Sequence, residues 1–142
     1  MNIYFSCSIT GGRQDRAVYA AIVDHLLAQG HKVPTAHLSS EHIMAEERVI
    51  EPREVYLRDL KWVEECDALI AEVSTPSHGV GYEIALALLL GKPVFCCYRN
   101  GRRVSKMILG NTHPNLNLCE YGQVGDLIEA IGGFVEAIQA ER

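Results

Sequence analysis

The chain has 142 residues and a mass of 15.7 kDa, a length that suits one domain covering residues 1–142. Hydrophobic residues make up 48% and charged residues 22%, which excludes a disordered, charge-rich chain and permits a packed core. Thirteen Lys and Arg against eighteen Asp and Glu leave a formal charge of -5, so no overall positive field exists to hold a nucleic-acid polymer.

Along the chain, short apolar runs of strand length alternate with longer stretches of helical period. A strand is predicted over Ile3 to Cys7, a helix over Asp15 to Gln29 and a second strand over Lys32 to Thr35. Between Ala36 and Glu51 no period is clear, and Glu46-Glu47-Arg48 reads as a solvated loop or a short exposed helix. A helix follows over Pro52 to Glu65, a strand over Ala68 to Val73, a helix over Val80 to Leu90 and a strand over Val94 to Tyr98. The chain ends with a helix at Arg103 to Leu109, a strand at Leu116 to Tyr121 and a helix at Val124 to Ala140. Gly30 and Gly91 stand where a left-handed helix cap is needed, and Pro52 suits the first turn of a helix. Strands without in-out alternation, separated by helices, are buried on both faces. The pattern predicts an α/β fold: a doubly wound, flavodoxin-like sheet of five parallel strands in the order 2-1-3-4-5, with ligand at the carboxyl ends of the strands.

The longest apolar run, Ile84 to Leu90, is far shorter than the ~20 residues of a membrane helix. Met1-Asn2 leads directly into the first strand without a signal-peptide layout, so a cytoplasmic protein without membrane partners is expected. Five cysteines, Cys7, Cys66, Cys96, Cys97 and Cys119, include no C-x-x-C pair. Neither a disulfide framework nor a zinc site has the expected spacing, and buried reduced thiols are the expected state. His25, His31, His42, His78 and His113 form no metal-ligand pattern, whereas His37 follows the second strand and can line the ligand edge.

Chemistry is expected in the segments after the first, third and fourth strands. Ser6-Cys7-Ser8-Ile9-Thr10-Gly11-Gly12-Arg13 is a small-residue turn before a helix, where hydroxyls and free amides can receive a phosphate. It is neither a P-loop nor a G-x-G-x-x-G fingerprint, and a Gly-Gly pair also serves in an ordinary strand-to-helix turn. After the third strand, Gly79 and Gly81 allow a ligand to approach the backbone, and Glu83 opens an apolar helical run. Two readings fit Glu83: a charge placed on the helix dipole of the first turn, or a nucleophile or base aimed into the cleft. Asp59 sits in the apolar stripe of its helix, since at about 100° per residue Val55, Tyr56, Trp62 and Val63 fall on its side. It is either a structural hydrogen-bonding residue or an acid with a raised pKa, and two carboxylates in differing environments suit an acid and nucleophile pair. Arg99, Arg102, Arg103 and Lys106 crowd around Ser105, giving either a solvated loop or a positive patch for an anion.

The strings Ile3 to Arg13, Arg58-Asp59-Leu60-Lys61-Trp62, Ala71-Glu72-Val73, Pro76 to Glu83 and Gly101 to Ile108 resemble the 2'-deoxynucleoside 5'-phosphate N-hydrolases of the nucleoside 2-deoxyribosyltransferase superfamily. The resemblance spans about Ile3 to Tyr121. It implies a homodimer that cleaves the N-glycosidic bond of a 2'-deoxynucleoside 5'-monophosphate to free base and 2-deoxyribose 5-phosphate, with no metal or organic cofactor. By position Glu83 is then the nucleophile at the anomeric carbon, Asp59 assists protonation of the departing base, and Tyr4 orients Glu83. Ser8, Ser77 and Ser105 match phosphate-binding positions, with Ser105 supplied by the neighbouring subunit. Ile9, Gly11, Gly12, Arg13, His37, Gly79 and Met107 complete the implied substrate-binding set. Two alternatives remain: a nucleoside 2-deoxyribosyltransferase that passes the sugar to a second base, and a non-catalytic nucleotide-binding module. Ser77 opposes the first, because transferases commonly carry an Asp there. The joint presence of Tyr4, Asp59 and Glu83 opposes the second.

Overall fold

The computed structural model describes residues 1–9, 14–40 and 42–142. Among them, four strands form one parallel sheet in the order β1 (Ile3–Ser6), β2 (Ala68–Glu72), β3 (Val94–Arg99) and β4 (Leu116–Tyr121). The helices are α1 (Arg16–Ala28), α2 (Ile43–Arg48), α3 (Pro52–Glu65), α4 (His78–Leu89), α5 (Lys106–Leu109) and α6 (Val124–Ala140), with a 3-10 turn at Ala36–Ser39. Pro52 takes the first turn of α3, and Gly30 and Gly91 adopt φ of 79° and 71° just beyond α1 and α4. Those conformations favour glycine because a Cβ is disfavoured at positive φ.

Every residue of β1 and β2 is buried, because helices cover both faces. Ile3, Phe5, Ile70, Phe95 and Cys97 point into one core with Val18, Ile22 and Leu26 of α1 and Leu127 and Ile131 of α6. Tyr4, Leu69, Ala71, Val94 and Cys96 point into the other, against Val63 of α3 and Val80, Ile84 and Ala87 of α4. The two-residue period of the strands therefore divides the apolar side chains between two cores. All five cysteines are free; four are buried and Cys119 is partly buried. Among the described residues, no helix is long and apolar enough to cross a membrane.

The fifth strand expected over Lys32 to Thr35 is absent. That segment runs parallel to β1 but makes only the bridge between Asn2 and Lys32, with Lys32 N–H donating to Met1 O and Ile3 N–H to Lys32 O. The next donor in a parallel ladder would be residue 34, and Pro34 has no N–H to give. Thr35 substitutes with its side chain, Oγ1 accepting the Phe5 N–H at 3.0 Å, before the backbone turns into the 3-10 segment. Apart from this lost strand the spatial order is the one anticipated. The aperiodic stretch contains α2, and Glu47 there is not solvated in the manner expected: its carboxylate accepts from Arg58 Nη1 at 3.0 Å.

The Phe5 N–H on the edge of β1 thus depends on one hydroxyl. Thr35→Val preserves shape but removes the acceptor, and should destabilise the fold by about 1–3 kcal/mol, the cost of a buried unpaired donor. Urea denaturation should show a lower midpoint with an unchanged slope; an unchanged midpoint would mean that Phe5 finds another partner.

Candidate active site

Glu83 lies on the second turn of α4 because the helix begins at His78, two residues before the expected start. The first turn carries no acidic residue, so an interaction of Glu83 with first-turn helix amides is ruled out. Its carboxylate turns toward the carboxyl end of β1. Tyr4 Oη donates to Oε1 at 2.8 Å and Ser6 Oγ to Oε2 at 2.5 Å, so each carboxylate oxygen has its own hydroxyl donor. Tyr4 and Ser6 are two apart on one strand and so share a face. Ser6, expected in the small-residue turn for a phosphate, instead ends β1 and gives its hydroxyl to Glu83; its spacing from Tyr4 was the sequence signal for that.

Burial pushes the Glu83 carboxyl up to about 7; the Ser6 and Tyr4 hydrogen bonds oppose the rise and the Asp59 charge adds to it. Burial, together with the Glu83 charge, likewise holds the Tyr4 phenol far above its ordinary range, so it remains a hydrogen-bond donor.

Asp59 sits on α3, on a helix face that is only partly covered: Val63 is buried, while Tyr56 is exposed. Arg58 Nε donates to Asp59 Oδ1 at 2.8 Å, and the same guanidinium reaches Glu47 Oε1 on α2. It lies 4.9 Å from the Trp62 ring centroid. His37 Nε2 is 3.7 Å from Glu47 Oε1, and its ring meets Trp62 edge-on at 5.8 Å. Desolvation raises the Asp59 pKa despite the opposing Arg58 bond and charge, with a further upward push from Glu47. Sequence reasoning anticipated His37 at this edge and missed Glu47 and Arg58 as a linked pair. Their eleven-residue separation has no local periodic signature.

The anticipated anion-binding residues are placed less uniformly. Ser8 is fully buried, and its hydroxyl has no hydrogen-bond partner among the described residues. Ser77 is the N-cap of α4, its Oγ accepting from Val80 N–H at 3.4 Å. Ser105 is the exposed N-cap of α5 and accepts from Met107 N–H at 3.2 Å. A groove of about 870 Å³ brings Ser77, Ser105 and Met107 together with Val80, Gly81 and Ile84. Ile9 is partly buried against the α1 and α6 core, and Gly79 is exposed in the first turn of α4. Thr10, Gly11, Gly12 and Arg13 lie outside the described residues. Of the four cations expected around Ser105, Arg99 and Arg102 face the buried Asp15, with Arg102 Nη2 3.2 Å and Arg99 Nε 3.8 Å from its Oδ1, whereas Arg103 and Lys106 are exposed and line the groove with Ser77 and Ser105. Among the described residues, no group of three His, Cys, Asp or Glu side chains is arranged to hold a metal ion.

Because Glu83 has a higher pKa folded than unfolded, its protonated form favours the fold below the unfolded value. That contribution fades as pH rises through about 7, a loss of up to about 3 kcal/mol. Glu83→Gln cannot ionise, so its stability relative to the parent should increase between pH 5 and pH 8. Urea unfolding at both pH values checks this; a constant difference would mean that Glu83 is hydrated like a surface carboxylate.

The family model described as nucleoside 2-deoxyribosyltransferase matches residues 3–127. A 5-hydroxymethyl-dUMP N-hydrolase of Rattus norvegicus is 42% identical over 113 residues, covering 77% of this chain and 69% of the rat protein. A protein of Methanococcoides burtonii named "Putative 2'-deoxynucleoside 5'-phosphate N-hydrolase 1" is 36% identical over 122 residues, 86% of this chain and all of that one. Among solved structures, the Clostridium botulinum CMP N-glycosidase BcmB superposes with a TM-score of 0.71 at 19% identity, covering 93% of this chain and 98% of that chain. A 2-deoxyribosyltransferase of Bacillus psychrosaccharolyticus superposes at 0.59 with 21% identity, covering 89% of each chain. These structural matches show a shared fold. The family-model match extends from the first residue of β1 into α6 and includes the carboxylate seat at the end of β1, so the chain belongs to the nucleoside 2-deoxyribosyltransferase family.

Proposed function

We propose that the protein hydrolyses the N-glycosidic bond of 2'-deoxynucleoside 5'-monophosphates, releasing the free base and 2-deoxyribose 5-phosphate. The observation that carries this reading is the pair of hydroxyl donors, Tyr4 and Ser6, on the two oxygens of the buried Glu83. A carboxylate fixed in this way is oriented for attack on the anomeric carbon. The named activities of the rat and archaeal relatives support the same reaction class.

In the proposed sequence, Glu83 forms a bond to C1' as the C1'–N bond breaks, and Asp59 gives its proton to the departing base. Water then attacks C1', returns a proton to Asp59 and releases Glu83 with the original anomeric hand, as two displacements at one carbon require. Tyr4 and Ser6 loosen their bonds to Glu83 as its charge passes to the ester and regain them when it leaves. Desolvation acts on both carboxyls: it raises the Asp59 pKa, which favours the proton-bearing form of the acid, and a Glu83 pKa of about 7 makes the nucleophile ionisable near neutrality.

The 5'-phosphate is assigned to Ser8, Ser77 and Ser105. The unpartnered Ser8 hydroxyl and the N-terminus of α4 at Ser77 are suitable neutral donors. Ser105 and Met107 line the groove along Val80, Gly81, Ile84 and Ala85 of α4, whereas Glu83 turns from that helix toward β1. This placement supports a homodimer in which Ser105 serves the site of the second copy. Met107 is 84% exposed and Leu89 86% exposed, leaving apolar surface for a second copy to cover.

A panel of deoxynucleoside monophosphates, including 5-hydroxymethyl-dUMP, should be hydrolysed, while the matching unphosphorylated nucleosides should not. Equal kcat/KM for the two classes, or transfer of the sugar to added adenine in preference to water, would support base exchange. Glu83→Gln should retain the fold and lose on the order of 10^4 in kcat. Methanol should intercept the glycosyl-enzyme to give a methyl deoxyriboside phosphate of retained configuration. Inversion at C1' would rule out the Glu83 ester.

The shared-site arrangement makes a separate demand. Activity per chain should fall on dilution in step with dissociation seen by sedimentation, and Ser105→Ala should raise KM for the monophosphate. Constant specific activity in a demonstrably monomeric sample would exclude sharing.

A further inference from the structure

Asp15 attracts no notice in the sequence, yet it is only 3% exposed in the fold. It occupies the N-cap position of α1, where an aspartate ordinarily accepts from the amides of its own helix. Here the side chain makes no such bond. Its backbone carbonyl begins the helix by accepting from Val18 and Tyr19 N–H, and the carboxylate turns inward. Thr75 Oγ1 donates to Oδ2 at 3.3 Å, Arg102 Nη2 donates to Oδ1 at 3.2 Å, and Arg99 Nε lies 3.8 Å from Oδ1.

These partners come from different loops. Asp15 follows the segment of Ser8, Thr75 is two residues before Ser77, and Arg102 is three residues before Ser105. One carboxylate therefore ties together the three connections that carry the proposed phosphate donors. Arg99 is also secured from behind. Its N–H donates to Ser74 Oγ at 2.8 Å and its guanidinium lies 5.4 Å from the Tyr121 ring centroid. Ser74 Oγ and Tyr121 Oη both donate to the fully buried carboxylate of Glu72.

Two buried carboxylates and two arginines are an expensive way to close a surface, because desolvating a charge is costly unless its partners are well placed. A helix cap would have satisfied Asp15 locally. Turning it toward the neighbouring connections instead joins the start of α1 to Thr75 and Arg102 through side-chain bonds. It also engages Arg99 and Arg102, so these guanidinium groups are not directed freely at a ligand.

We infer that Asp15 is a positioning residue: through Thr75 and Arg102 it fixes the spacing of the loops bearing Ser8, Ser77 and Ser105, and it touches no substrate itself. The inference rests on the assignment of those serines to the 5'-phosphate. It goes beyond that assignment in giving one residue control of all three. In a dimer, the same carboxylate would link the loop lent to the neighbouring site with the two loops of its own.

The test compares the parent with Asp15→Asn, Arg102→Gln and the double variant by steady-state kinetics on a deoxynucleoside monophosphate, competitive inhibition by inorganic phosphate and urea unfolding. Asparagine keeps the size of the side chain and removes the charge that holds Arg102. KM and the phosphate inhibition constant should both rise about tenfold or more while kcat changes less than about threefold, since the reacting carboxylates are undisturbed. The double variant should be little worse than either single variant, because both break one link. Parental KM and phosphate inhibition in Asp15→Asn would overturn the inference, as would equal losses in kcat and kcat/KM, the signature of general distortion. If Asp15→Asn does not fold, Arg102→Gln decides the matter in the same way. Ser8→Ala separates the two levels: if it leaves phosphate inhibition unchanged, the serine assignment fails, whereas if it weakens inhibition while the Asp15 and Arg102 variants do not, only the positioning role fails.

Discussion

Removing a carboxylate from water is unfavourable unless donors replace its hydration, and the placement of Glu83 follows from how β1 meets that demand. Tyr4 and Ser6 lie on the strand face that supplies the donors, while Ile3 and Phe5 on the opposite face fill the α1 and α6 core. A register slip of one residue would invert both sets, putting hydroxyls into hydrocarbon and apolar side chains against Glu83. Register is held on both sides of the strand. Ladder pairs to β2 run from Ile3 with Ala68 to Ser6 with Ala71, and the outer edge is held by Lys32 and Thr35. The chemistry at the carboxyl end of the sheet thus depends on a strand only four residues long.

Much of this architecture was legible because burial acts through periodicity. Strand segments apolar on both faces pointed to a doubly wound sheet, and α3, β4 and α6 have the expected bounds. The second strand failed for a local reason, the missing N–H of Pro34, that outweighed the apolar character around it. Glu83 and Asp59 were legible as charges in apolar stripes. Ser6, Glu47 and Asp15 were harder: each gains its role from a partner 77, 11 or 60 residues away, respectively Glu83, Arg58 and Thr75. Charge runs misled in two places for the same reason. Glu47, Arg99 and Arg102 looked solvated or available, whereas tertiary packing supplied each with an opposite charge.

The two carboxyls of the candidate active site differ in how their desolvation is offset. Neutral hydroxyls meet Glu83 and oppose the rise that burial gives its pKa, with the Arg58 charge adding only the smallest of these effects. A guanidinium meets Asp59, and Glu47 draws that guanidinium partly away. Glu47 thereby limits the bias of Arg58 toward the ionised form of Asp59, which an acid must leave during turnover. The stacking of Arg58 on Trp62 and the contact of His37 with Glu47 and Trp62 hold this balance in a fixed geometry. In the proposed mechanism, the two carboxyls perform different work because hydroxyls support one and an ion pair supports the other.

The same division extends to the proposed phosphate end. A chain of net charge -5 gives a dianionic substrate no long-range attraction, and Asp15 engages the two arginines nearest to serving as a local lure. What remains along the groove is the exposed pair Arg103 and Lys106 together with a set of short-range dipoles: the Ser8 and Ser105 hydroxyls and the amides at the start of α4. Such donors act only at contact and depend strongly on direction, so their relative positions matter more than their summed charge. That requirement gives physical sense to a carboxylate buried behind the loops. In this reading, Asp15 engages two of the four cations near Ser105 and uses them to fix the loops that carry the hydroxyl donors. Selectivity for a phosphate attached to the correct sugar then comes from shape, with the glycosidic bond placed between Glu83 and Asp59 as its consequence.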